Sequence, residues 1–400
     1  VLSKENQLLF NYFKQLFAQV TNPPLDAIRE ELVTSKATFI GSEQNLFSET
    51  PFHCRQLSIH SPILSDQELE QIRQLDMDGL KSITLSTLFD SNSGAGSLEV
   101  ALDELCQKVS SAIDQENNIV ILSDRGVDGD HAPIPSLLAT SAVHHHLIRQ
   151  GTRTKVGLVV ESGEPREVHH FALLCGYGAG AINPYLALQT VKYLSANGEI
   201  ADVQPDQAAD NFIKANEKGL IKVMSKMGIS TVQSYRGAQI FEAIGLSRTL
   251  IDRYFTWTPS RIEGIGLDVL EREALERHDK AFTSFDLPDQ RTLDTGSFYQ
   301  WRKGGEVHQW NPESISKLQD AARSNSWAKY LEFAEQVNDQ SEQMATLRGL
   351  LKFNKEVTAI PLDQVEAASE IAKRFATGAV SLGSISREAH ETMAIAMNRI

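Results

Sequence analysis

Four hundred residues exceed what one hydrophobic core usually serves, so two or three domains are expected. With 41% hydrophobic and 22% charged residues, the composition is that of an ordinary globular chain. A formal net charge of -14 argues against nucleic acid or an anionic membrane as partner, since both require basic patches.

No apolar run approaches the ~20 residues of a membrane-spanning helix. Val1-Leu-Ser-Lys-Glu5 resembles neither a signal nor a transit peptide and lacks an initiator Met, which fits a fragment of a longer chain. Cys54, Cys106 and Cys175 lie far apart without a CxxC pair. They therefore encode neither a zinc knuckle nor an iron-sulfur loop, and reduced, mostly buried thiols are expected.

Leu8, Leu9, Tyr12, Phe13, Leu16 and Phe17 have helical spacing, so a helix is predicted over 3–20, stopped by Asn22-Pro-Pro24. Asp26 is placed to cap a second helix through Glu31. From Ser82 onward, strands and helices alternate. Strands are predicted at 83–89, 119–122, 155–160, 181–183 and 229–232; helices at 98–113, 136–149, 168–175, 213–227, 237–244 and 263–281. Short apolar strands between helices mean a parallel sheet, and a barrel-like closure is favoured over an open doubly wound sheet.

Thr283–Thr295 reads as a linker and Tyr299–His308 as a hairpin-like segment, before a helix capped by Asn311 with Pro312 in its first position. The last stretch reads as a strand over Phe375–Val380, a Gly383-Ser384 turn, and a helix capped by Ser386. That pattern opens a second β/α unit, whose single strand needs covering on both faces by residues beyond Ile400.

Parallel β/α proteins place function at the C-terminal ends of strands. Those ends carry Ser123-Asp124-Arg125, Glu161-Ser162, Asn183-Pro184 and Gln233-Ser-Tyr-Arg236. The rim is either a binding face or a set of caps and ion pairs in which Arg125 or Arg236 meets Asp124 or Glu161. The second reading carries more weight. Asp124, Asp128 and Asp130 imitate part of a calcium loop but lack the closing Glu, so a solvated turn is expected. His144, His145 and His146 fan out by about 100° each on a helix and cannot meet one ion; His169-His170 shares the problem. No GxGxxG after a strand, Walker loop, GxSxG or HExxH is present. Gly176-Tyr-Gly-Ala-Gly180 follows a helix and precedes a strand, so it reads as a tight turn.

Several runs resemble the large subunit of the glutamate synthase family. They are Ala18-Gln-Val-Thr-Asn-Pro-Pro24, His169-His-Phe-Ala-Leu173, Ala181-Ile-Asn-Pro-Tyr185, Lys222-Val-Met-Ser-Lys-Met-Gly-Ile-Ser-Thr231, Trp310-Asn-Pro312, Thr346-Leu-Arg-Gly349 and Thr377-Gly-Ala-Val-Ser-Leu-Gly-Ser-Ile-Ser386. The resemblance covers nearly the whole chain.

It implies an enzyme that hydrolyses glutamine with an N-terminal Cys and channels the ammonia to an FMN-binding β/α barrel. There 2-oxoglutarate is converted to glutamate through 2-iminoglutarate, with electrons relayed by a 3Fe-4S cluster. It also implies ferredoxin or an NADPH-oxidising small subunit as partner, and a bacterial cytoplasm or plastid stroma as location. By position, residues 1–50 resemble a helical connecting arm, 51–285 a central β/α domain and 286–400 the beginning of the FMN-binding barrel. The amidotransferase nucleophile and the three-Cys motif are absent from this stretch. What carries over is the first flavin-contacting strand, Thr377, Gly378, Ala379, Val380 and Ser381. Many members have Met and Tyr where this chain has Val380 and Leu382. The segment's implied task is scaffold and tunnel wall. The competing expectation is an independent, non-catalytic β/α ligand-binding module using the strand-end rim.

Overall fold

The computed structural model describes residues 6–16, 25–282, 307–339, 345–354 and 356–400, in two compact units, Lys4–Gly296 and Ser297–Ile400. The first unit begins β1 (Phe13–Gln15), α1 (Ala27–Val33), β2 (Thr38–Ile40), β3 (Leu57–Ile59), α2 (Asp66–Arg73), β4 (Asp76–Met77), β5 (Leu80–Ser86) and β6 (Leu88–Asp90). It continues α3 (Ser97–Asp114), β7 (Ile119–Ser123), β8 (His131–Pro133), α4 (Ser136–Arg149), β9 (Gly157–Glu161), α5 (Val168–Gly176), β10 (Ala181–Asn183) and α6 (Tyr185–Ala196). It ends α7 (Pro205–Lys226), α8 (Val232–Tyr235), β11 (Phe241–Leu246), α9 (Arg248–Tyr254), β12 (Ser260–Ile265) and α10 (Leu267–Phe282).

The main sheet has the order β10-β9-β7-β5-β4, parallel except where β4 meets β5. Its strands alternate between two buried faces. Val120, Leu122, Leu158, Val160 and Ile182 face a large core built with α3, α4 and α5. Ile119, Ile121, Val159 and Ala181 face a smaller core with Ile40, Leu64, Leu69 and Ile72. A parallel sheet buried on both faces has this near-continuous apolar reading. Barrel closure is not reached among the described residues: β4 and β10 are edges. Four parallel strands are about half of what a closed barrel of this kind needs.

A second, three-stranded sheet runs β1-β11-β12. It replaces two predicted elements. The described part of the expected 3–20 helix is a 3-10 turn at Leu9–Tyr12 followed by β1, and the expected 237–244 helix is β11. Leu9, Phe10 and Phe13 are buried in the large core, so their spacing reflects burial all round rather than one helical face. The expected strand at 229–232 is a single bridge from Thr231 to Ser35, running into α8.

The second unit holds α11 (Pro312–Ser324), α12 (Trp327–Asn338), α13 (Ala368–Ala372) and α14 (Arg387–Arg399). Asn311 caps α11 through Glu313 N and Ser314 N, with Pro312 in its first turn. Ser386 caps α14, as its sequence predicts. Phe375–Val380 forms no strand; it is exposed and has no strand partner among the described residues. The predicted linker at Thr283–Thr295, residues 299–306 of the hairpin-like segment and the Asn22-Pro-Pro24 stop lie outside the described residues.

Candidate functional site

The C-terminal ends of β7, β9 and β10 bring Ser123, Asp124, Arg125, Glu161, Ser162 and Asn183 together through their in-register pairing. Glu161 is 1% exposed, and its carboxylate is fully engaged. It accepts from Ser123 Oγ at 2.5 Å, from Arg73 Nη2 at 2.9 Å and from Arg125 Nε. Burial alone would raise its pKa; the Ser123, Arg73 and Arg125 donors outweigh burial and hold it below the usual carboxylate range.

Asp124, one residue beyond β7 and 3% exposed, behaves in the opposite way. Burial pushes its pKa up to about 6, against hydrogen bonds from Ser162, Tyr185 and the Gly163 N–H. Ser162 Oγ donates to it at 2.5 Å, and Gly163 N reaches both carboxylate oxygens at 3.1 Å. Arg125 lies 4.2 Å over the Tyr185 ring and 3.5 Å from Asp66. Asn183 donates to Leu64 O at 3.1 Å and Asp66 Oδ1 at 3.0 Å, tying β10 to the start of α2. Glu164, in the loop after β9, accepts from Ser136 N and Oγ at 2.7 and 2.8 Å. It thereby caps α4, whose own N-cap, Pro135, offers no side-chain acceptor.

The rim is thus a closed lattice of caps and ion pairs. Both buried carboxylates have their oxygens occupied, so neither is placed to take a proton from a substrate. Two features departed from the sequence reading. Arg236 is not part of the rim: it follows α8 and donates to Gln233. Arg73, at the end of α2, closes the network, and no local pattern in the sequence marks it.

The other candidates are absorbed locally, except His145, whose Nε2 is buried without a hydrogen-bond partner among the described residues. Asp128 accepts from Asp130 N, His131 N and His131 Nδ1, as a solvated turn would, while Asp124 is turned into the rim. His144 Nδ1 accepts from Arg153 Nε at 2.9 Å, and His146 meets Ser110 at 2.9 Å. His169 Nε2 meets the Phe10 and Phe13 carbonyls, and His170 stacks on Phe10 at 4.3 Å. Among the described residues no three His, Cys, Asp or Glu side chains are placed to hold a metal ion. Cys106 and Cys175 are buried, which pushes their thiols up to about 11 and 12, and Cys54 is exposed.

Thr377, Gly378, Ala379, Val380 and Ser381 lie in exposed, irregular backbone of the second unit. Thr377 lines a hollow of about 440 Å³ with Ala368, Ile371, Phe375 and Ile400. A Cβ added at Gly378 would meet nothing within 4 Å, so the backbone there is open to close approach.

Residues 1–247 match the family model of the glutamate synthase central domain, and residues 308–400 match that of the conserved region in glutamate synthase. The chain belongs to the glutamate synthase family. It is 48% identical over 400 residues to the glutamate synthase [NADPH] large chain of Bacillus subtilis, covering 100% of this chain and 26% of that relative. To the ferredoxin-dependent glutamate synthase of Pyropia yezoensis it is 40% identical, again over 100% of this chain and 26% of the relative. To the glutamate synthase [NADH] of Schizosaccharomyces pombe it is 41% identical, over 100% of this chain and 19% of the relative. The chain therefore spans about a quarter or less of the glutamate synthases it matches. Among solved structures, a flavocytochrome b2 mutant overlaps 52% of this chain and 42% of its own at 14% identity and a TM-score of 0.29, too slight to carry an argument.

Proposed function

We propose that this chain is the connecting segment of a glutamate synthase large subunit, which makes glutamate from glutamine and 2-oxoglutarate. On this reading residues 51–285 are the central domain, preceded by a connecting arm over 1–50, and they brace and wall the ammonia path. Residues 286–400 begin the FMN-binding barrel. The observation that carries the proposal is the closed strand-end lattice: at the place where a β/α enzyme keeps its reactive groups, Glu161 and Asp124 are both saturated by internal donors.

FMN, when bound, supplies the reducing electrons for the imine formed from 2-oxoglutarate and ammonia. Thr377–Ser381 fit the flavin in residue type and in the open backbone at Gly378. Their part is to bring a side-chain-poor backbone against a flat ring and to exclude water from one of its faces. Small residues there allow an approach that a larger side chain would block. The 3Fe-4S cluster, the amidotransferase and Fe-S domains, and ferredoxin or an NADPH-oxidising small subunit belong to the same proposal, as does a cytoplasmic or plastid location. Among the described residues no helix is long and apolar enough to cross a membrane.

The test is a titration of the 400-residue chain with FMN and with riboflavin. The expected result is a preference for FMN of less than about tenfold (~1.4 kcal/mol), because five backbone positions do not grip a phosphate. Tight binding with a larger preference would overturn the division of labour and favour an independent ligand-binding module.

A further inference from the structure

Two arginines stand without a close ion pair, among the described residues, at the other end of the main sheet. Arg153 precedes β9, and Arg236 follows α8; both are half-buried. Both reach the turn between α5 and β10. Arg153 Nη2 donates to Gly178 O at 2.8 Å, its Nη1 to Val156 O at 2.7 Å and its Nε to His144 Nδ1 at 2.9 Å. Arg236 donates to Gln233 Oε1, and its Nη1 lies 3.4 Å from where a Cβ at Gly180 would stand. Among the described residues neither arginine has a carboxylate within ion-pair distance, although this chain carries 52 acidic residues against 38 Lys and Arg.

We propose that Arg153 and Arg236 form a carboxylate-binding site beside the Gly178–Gly180 turn. A guanidinium carries five N–H donors in a planar fork matched to a carboxylate. Arg153 uses three and Arg236 one on protein acceptors, so donors remain on both. Half-buried charge is costly unless paired, and among the described residues no carboxylate stands within ion-pair distance to supply the pairing. His144 cannot help: as the acceptor of the Arg153 Nε–H it must be neutral, and burial together with Arg153 drives its pKa down to about 2. Burial and then the charge of Arg236 lower Arg153 to about 10, which an anion between the two forks would reverse. Glu43 is the carboxylate that acts on both; it is exposed, outside ion-pair range, and weighs against a multiply charged ligand. The missing Cβ lets the chain run close to these side chains: at Gly180 a Cβ would stand 3.4 Å from Arg236 Nη1, and at Gly178 2.4 Å from His144 Nδ1. The carboxylate comes from an acidic side chain elsewhere in the longer polypeptide or from a free carboxylic acid.

Thermal unfolding of the 400-residue chain, titrated with succinate at constant ionic strength, tests the proposal. Succinate is expected to raise Tm saturably, with affinity at least tenfold weaker in Arg236→Gln. Arg236→Lys, which keeps the charge but loses the fork, gives an intermediate affinity and guards against a variant that fails to fold. The same titration in the full-length polypeptide separates the two sources. A persisting response identifies a free carboxylate. Loss of the response, with Arg236→Gln lowering Tm more there than in the 400-residue chain, identifies a seated acidic side chain. No saturable shift in the wild-type 400-residue chain, an equal shift with inorganic phosphate, or equal Tm losses in both proteins without a succinate response in the full-length one would overturn the proposal.

Discussion

Glu161 and Asp124 are carboxylates on neighbouring strands, yet their surroundings drive them in opposite directions. Around Glu161, two guanidiniums and a hydroxyl favour the ionised form; around Asp124, burial dominates three neutral donors. Glu161→Gln should therefore destabilise the fold by about 2–3 kcal/mol, less than the 3–5 of a fully buried pair, because Arg125 is 40% exposed. Chemical denaturation measures it directly. The pH dependences have opposite signs. Because Glu161 is depressed when folded, its stabilisation is present above the ordinary carboxylate pKa and is lost as acid takes the pH below it. Asp124 is raised when folded, so the folded state holds the extra proton; stability is greatest below about 4 and falls as pH rises toward about 6. Asp124→Asn should flatten stability between pH 4 and 6, and an unchanged slope there would show that Asp124 is not the titrating group.

Elements meet closely where glycine permits it. At Gly157, the first residue of β9, a Cβ would lie 2.3 Å from Ile40 Cγ2 and 2.7 Å from Gly41 N. Gly157→Ala should cost about 1–3 kcal/mol by pushing β2 off the sheet, read as a lower Tm with fold retained. Gly219 is the equivalent contact between α7 and α5, 2.2 Å from Val168 Cγ2. Apart from β8, the strands and helices between Ser97 and Asn183 were legible in the sequence because each shows its own period: five buried residues in β7, an amphipathic stripe in α3, small residues in the α5–β10 turn. β11 was not legible. Its partner β1 is more than 220 residues away, with Phe13 opposite Ala243, and nothing local records that pairing. Between Gly237 and Ile244 only local periodicity was available, and it read as helix. The rim residues could be named from strand ends, but Arg73, which fixes Glu161, could not, since its role depends on α2 folding back over β5.

The two units differ in how much of their apolar surface is covered. In the first, the large core gathers residues from β1 through α10. In the second, Leu347, Phe353 and Leu362 are 83%, 98% and 87% exposed. Hydrogen exchange on the 400-residue chain should therefore be slowest in β7 and β9 and fastest over residues 345–400, by several orders of magnitude. Uniform protection across both units would contradict this. The central claim is that the first unit holds its strand-end carboxylates, Glu161 and Asp124, for architecture rather than chemistry. The most direct test compares wild type with Glu161→Gln and Asp124→Asn in the full-length polypeptide, measuring glutamine-dependent glutamate formation per folded molecule alongside Tm. The account predicts a shifted Tm for Glu161→Gln and activity per folded molecule within about twofold for both variants. A loss of about 100-fold or more at unchanged Tm, the size expected for removing a general acid or base, would contradict it.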